Sequence, residues 1–123
     1  SRDFALLERT WKKDPVTPGA YSAEDIARYK EALRRPGALT AAINYYRAAM
    51  RWPGDLYGEP QAVSAPTLLI WGEKDRYLGL DLTEGLEAWI TDLRVERIPD
   101  ASHWVQNDVP EVVNRLLLDF LEG

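Results

Sequence analysis

The stretch Ala65-Pro66-Thr67-Leu68-Leu69-Ile70-Trp71-Gly72-Glu73-Lys74-Asp75 decides the fold. Its centre, Thr67–Trp71, is an apolar run that does not alternate with polar residues. Such a run, bounded by Pro66 and Gly72, reads as a strand covered on both faces. Strands of that kind belong to parallel sheets, whose crossover connections lay helices on either side. The expected class is therefore α/β.

Downstream the pattern repeats. Leu82, Leu86, Trp89 and Ile90 have the spacing of a short amphipathic helix. Arg94-Val95-Glu96-Arg97-Ile98 reads as a second strand, closed by Pro99. Asp108 and Glu111 resemble the N-terminal box of a last helix, and Pro110 suits its first turn. Val112, Val113, Leu116, Leu117, Phe120 and Leu121 give that helix an apolar face. A right-handed crossover makes the two strands parallel neighbours. Two parallel strands do not form a stable sheet by themselves, so they predict the edge of a larger one.

Upstream the sequence reads as helical. Phe4, Leu7 and Trp11 fall at helical spacing, and Asp14-Pro15 and Pro18-Gly19 break the segment. Ser22 can cap a second helix, with Asp25 three residues on. That helix carries Ile26, Tyr29 and Leu33 on one face and ends before Pro36-Gly37. A third runs from Ala38 to Arg51 and is stopped by Trp52-Pro53-Gly54. Asp55 to Ala65 is a polar connector with Gly58 and Pro60. The expected division is a helical segment over residues 1–58 and the strand-bearing part over 59–123.

Composition removes several function classes. Twenty acidic against fifteen basic residues leave a formal net charge of −5, with no basic surplus to neutralise nucleic-acid phosphates. There is no cysteine and one histidine, which argues against thiolate and multi-histidine metal sites. No phosphate-binding glycine loop is present either, so no cofactor is expected. No apolar run approaches the length of a membrane span, and no secretory signal opens the chain. A cytoplasmic protein without membrane or nucleic-acid partners is the expectation.

Chemistry concentrates at the strand ends. Asp75 lies four residues past Trp71, and His103 lies five past Ile98. In a parallel sheet both loops leave at the carboxyl edge, where α/β proteins place ligands. Neighbouring strands are about 4.8 Å apart, so the two side chains can meet. A carboxylate on one imidazole nitrogen leaves the other free to act as a base. Each residue also has a plainer reading. A lone loop histidine is usually an ordinary surface residue, and Asp75 can simply cap its own turn.

Trp71-Gly72-Glu73-Lys74-Asp75 resembles the acid-bearing segment of α/β-hydrolases, and Pro99-Asp100-Ala101-Ser102-His103-Trp104-Val105-Gln106 resembles their histidine segment. Asp108-Val109-Pro110-Glu111-Val112-Val113-Asn114 is similar to their closing helix. The resemblance implies the C-terminal part of an α/β-hydrolase parallel sheet, preceded by a helical cap over residues 1–58. It further implies that Asp75 orients His103 and that His103 activates water. Pro36–Arg47, ending in Asn44-Tyr45-Tyr46-Arg47, resembles a cap helix of epoxide hydrolases, in which a tyrosine stands over the site. Tyr46 matches that position. A phenol there can protonate the oxygen of a strained ring as it opens. Tyr45 and Tyr46 point about 100° apart on a helix, so at most one faces the site. Packing aromatics are the plainer reading of both, and an ion-pair role is that of Arg47.

Epoxide hydrolases of this kind attack the ring with an aspartate on a sharp strand-to-helix turn, form an alkyl ester, and hydrolyse it with histidine-activated water. No such nucleophile is legible here. Ser1, Ser22, Ser64 and Ser102 lack a Gly-x-Ser-x-Gly setting, and Asp14, Asp55 and Asp100 lack a strand–turn–helix. The resemblance places the nucleophile upstream of the cap. The chain is thus expected to act on an epoxide or ester only with an N-terminal complementary half, or to self-associate, and to be inactive alone. A haloalkane dehalogenase or esterase of the same fold shares Asp75 and His103 without needing Tyr46. A catalytically inactive fragment or binding module is the non-enzymatic alternative.

Overall fold

A computed structural model of the chain describes residues 4–52 and 61–123. The 58/59 division, Pro53-Gly54 and most of the polar connector lie outside the described residues, as does Ser1.

Three helices come first: α1 (Ala5–Lys13), α2 (Ala23–Arg34) and α3 (Ala38–Arg51). Each stops where the sequence breaks. Asp14 follows α1, and Gly37, with φ +81°, opens α3 in a left-handed turn that a side chain would strain. Ser22 and Asp25 form a complete capping box on α2. The Ser22 Oγ accepts from Asp25 N at 3.1 Å, and the Asp25 carboxylate accepts from Ser22 N at 2.9 Å. Trp11, Tyr21 and Ile26 make a small core, joined by Leu7, Ala20, Leu33 and Trp104. Trp104 is the neighbour of His103, so this helical core reaches the histidine loop.

The sheet consists of β1 (Thr67–Gly72) and β2 (Leu93–Ile98), parallel and in register from Thr67 opposite Leu93 to Gly72 opposite Ile98. Pairing begins earlier, at a parallel bridge between Val63 and Ile90. Burial along β1 does not alternate: Thr67 to Trp71 are all half-buried. Two further helices follow β2, α4 (Val105–Asp108) and α5 (Pro110–Glu122).

The helix expected over Leu82–Ile90 is not there. Two short 3-10 turns, Leu80–Thr83 and Leu86–Ala88, take its place. Glu84 is extended and Gly85 is left-handed at φ +70°, so the backbone cannot continue from one turn to the next. Thr83 is tied elsewhere, donating to Leu80 O at 2.7 Å and accepting from Arg97 Nε at 2.8 Å.

The box expected at Asp108 and Glu111 also fails. Val109 is the N-cap of α5 and no side chain caps it; Pro110 does occupy the first turn. On α5, Val113 and Leu116 are buried, whereas Leu117 and Leu121 are exposed. Exposed apolar side chains on α3 include Leu39, Ile43 and Met50. Among the described residues no helix is long and apolar enough to cross a membrane.

Candidate active site

The loops after β1 and β2 are fastened by their backbones before any side chain acts. Glu73 N donates to Ile98 O at 3.0 Å, and Lys74 N donates to Ala101 O at 2.9 Å. Gly72 makes this approach possible. A Cβ there would lie 2.2 Å from Ser102 O and 2.5 Å from Ala101 O. Lys74 and Asp100 add an exposed ion pair between the same loops at 2.6 Å.

Asp75 and His103 meet where the loops close. Asp75 Oδ2 and His103 Nδ1 are 2.8 Å apart. Asp75 Oδ1 accepts from Tyr77 N at 2.8 Å and from Leu78 N at 3.1 Å. Asp75 thus caps its own turn with one oxygen and meets the histidine with the other. Burial pushes the Asp75 carboxyl up, but the hydrogen bonds from His103, Tyr77 and Leu78 outweigh it and hold the group below the usual carboxylate range. An ionised Asp75 places the imidazole proton on Nδ1 and leaves Nε2 as the open lone pair.

Exposure matches this division of labour. The Asp75 side chain is 7% exposed and that of His103 36%. The imidazole stands edge-to-face between Tyr77, at 5.1 Å between ring centres, and Trp104, at 5.3 Å. An open pocket of about 270 Å³ adjoins the pair, with Leu69, Trp71, Leu78 and Val105 in its wall. Among the described residues no group of acidic, histidine or cysteine side chains is arranged to hold a metal ion.

Tyr46 stands apart from this pair. It lies on α3, 67% exposed, with its ring edge-on to Tyr45 and outside the wall of this pocket. Arg47, expected in an ion pair, donates instead to Asn44 Oδ1 at 3.2 Å. The roles of two residues escaped the sequence reading. Tyr77 packs on the imidazole and its hydroxyl donates to the Asp14 carboxylate. An Asp followed two residues later by a bonded N–H is a common turn pattern, which could have pointed to that loop. Asp108 is buried beneath the histidine loop, and its bonds to Ser102 and Thr17 have no local sequence signature.

Residues 8–110 match the family pattern of the alpha/beta hydrolase fold. The chain belongs to the α/β-hydrolase fold family. Its sequence is similar to the AB hydrolase superfamily protein YfhM of Bacillus subtilis, at 38% identity over 106 residues, 86% of this chain and 36% of that protein. It is also similar to epoxide hydrolase 4 of Homo sapiens, at 34% identity over 125 residues, covering 98% of this chain and 34% of that protein. In fold it matches a mutant epoxide hydrolase from Bacillus megaterium, with a TM-score of 0.77 at 24% identity, covering 98% of this chain and 45% of that one. This α/β-hydrolase chain is thus epoxide hydrolase-like, and it spans about a third of the length of the curated relatives it matches.

Proposed function

We propose that the chain supplies the acid and base of a hydrolase acting on epoxides, with residues 1–58 as its cap segment and 59–123 as the end of its core. The observation that carries this reading is the 2.8 Å contact between His103 Nδ1 and an Asp75 carboxylate whose other oxygen is fully engaged by backbone N–H groups. In the first step, a carboxylate from a complementary segment attacks an epoxide carbon. The C–O bond breaks, the oxygen takes the proton of an acid for which Tyr46 is the candidate, and an alkyl ester forms. His103 Nε2 then removes a proton from water, and the water oxygen attacks the ester carbonyl. Collapse of the adduct releases the diol and restores the carboxylate, and the imidazolium gives its proton back to replace the one spent in ring opening. Asp75 stabilises the imidazolium formed on the way.

The test is complementation. The purified chain is incubated with a reporter epoxide, alone and mixed with the N-terminal two-thirds of an epoxide-hydrolase relative. The chain alone is expected to release no diol, and the mixture is expected to release it. Diol formation by the chain alone would remove the need for a complementary half. A folded, tightly bound mixture with no turnover would remove the proposed activity.

A second reading follows from the exposed position of Tyr46. A dehalogenase or esterase uses the same pair without a cap phenol. In the complemented enzyme, Tyr46→Phe is expected to slow epoxide opening by about 100-fold if Tyr46 closes over the site as proton donor. Unchanged epoxide turnover would favour the reading without Tyr46.

A further inference from the structure

We propose that Asp108 is a positioning residue for His103, and that it latches the segment between α1 and α2 to the histidine loop. The proposal rests on the acid–base reading of Asp75 and His103. Asp108 is 4% exposed, and every polar contact of its carboxylate is accounted for. Oδ2 accepts from Ser102 N at 2.8 Å and from Ser102 Oγ at 2.5 Å. Ser102 Oγ in turn accepts from Trp104 N at 3.1 Å. The residues on both sides of His103 are therefore tied, directly or through one hydroxyl, to a single buried carboxylate.

The other oxygen faces the helical segment. Asp108 Oδ1 accepts from Thr17 N at 2.9 Å, and Asp108 O accepts from Thr17 Oγ1 at 3.0 Å. Two further contacts join the same segment to the pair. Tyr21 stands edge-on to Trp104 at 5.8 Å, and Asp14 accepts from the Tyr77 hydroxyl. One short connection thus touches the histidine loop through Thr17 and Tyr21 and the aspartate loop through Asp14. A carboxylate fits the task at Asp108 because three donors converge on it from two segments. An amide would present an NH2 to one of them and leave a buried donor unpaired.

His103 is the sole histidine, which provides a readout independent of turnover. The imidazole 15N spectrum of the chain reports which nitrogen carries the proton. The wild type is expected to show the Nδ1–H tautomer alone. Asp75→Asn supplies the reference spectrum of a ring that has lost its carboxylate. Asp108→Asn, although it leaves Asp75 intact, is expected to lose the single-tautomer pattern and move toward that reference. Thermal melts of each variant separate this from unfolding. If Asp108→Asn does not fold, Ser102→Ala decides, since it removes only the hydroxyl link, and a partial loss of the pattern is expected. A folded Asp108→Asn with the wild-type spectrum would overturn the proposal, as would Ser102→Ala with that spectrum where Asp108→Asn is unfolded. A wild-type chain without the Nδ1–H pattern would instead remove the Asp75–His103 pair itself, and the positioning role with it.

Discussion

In the complemented hydrolase, His103→Gln is expected to stop diol release while leaving ring opening intact. The two steps use different groups. The carboxylate that attacks the ring does not need His103, whereas the water that clears the ester does. The variant should therefore consume one epoxide per site and hold it as an alkyl ester. Turnover should fall by about 10⁴-fold, the scale seen when the acid–base pair of a triad is disabled. Mass spectrometry of the complementary segment after a single exposure to epoxide checks the trapped ester. An unmodified segment, with turnover equally lost, would place His103 in the first step or in folding rather than in the second. Asp75→Asn should give the same trapped species, because an imidazole without its anionic partner forms imidazolium less readily.

The largest effect on stability is expected at Gly72. Gly72→Ala places a methyl carbon 2.2 Å from Ser102 O and 2.5 Å from Ala101 O, both of them backbone atoms. No side-chain rotation relieves that overlap. The loops must separate, and the hydrogen bonds from Glu73 to Ile98 and from Lys74 to Ala101 go with them. A loss of about 3 kcal/mol is expected, the upper end of overpacking costs. Gly85→Ala makes the contrast. Nothing lies within 4 Å of its added carbon, and only the left-handed backbone at φ +70° opposes it, at about 1 kcal/mol. Urea melts of the two variants beside the wild type measure the difference. A Gly72→Ala midpoint at or above that of Gly85→Ala would show that the loops are not held as closely as drawn.

What the sequence disclosed about the fold was governed by distance along the chain. The unalternating run at Thr67–Trp71 signals a parallel strand within a few residues, and β1 lies there. Helix ends at Lys13, Arg34 and Arg51 follow from adjacent proline, glycine or capping residues. The meeting of Asp75 with His103 needed only the assumption that two parallel strands end level, and Gly72 does stand opposite Ile98. Periodicity misled between residues 80 and 90 because it scores side chains, whereas Gly85 and the extended Glu84 act through the backbone. Asp108 reads as part of a helix box because its nearest neighbours suit one. Besides the nearby Ser102, it binds Thr17, 91 residues away, and nothing local announces a bond of that span. The covered face of α5 is narrower than its apolar stripe for a similar reason. Spacing gives a helix its stripe, but only packing tells that Val113 and Leu116 are covered and Leu117 and Leu121 are not.

A carboxylate in water is symmetric, and a half-turn about its Cβ–Cγ bond exchanges the two oxygens at no cost. At Asp75 the two oxygens face different partners. One oxygen is pinned by the N–H groups of Tyr77 and Leu78, and the other is left for the imidazole alone. A half-turn only restores the same three bonds with the oxygens exchanged, but any smaller rotation strains or breaks them, so the carboxylate plane is held by the main chain of its own loop. The imidazole inherits that fixed bearing. The axis along which Nε2 can accept a proton is thereby drawn by the trace of residues 75–78, as a gunsight is fixed by its mount. A longer acid at this position could satisfy the loop or the ring, but not both with the same spacing. The demand at position 75 is thus for a particular reach as much as for a charge.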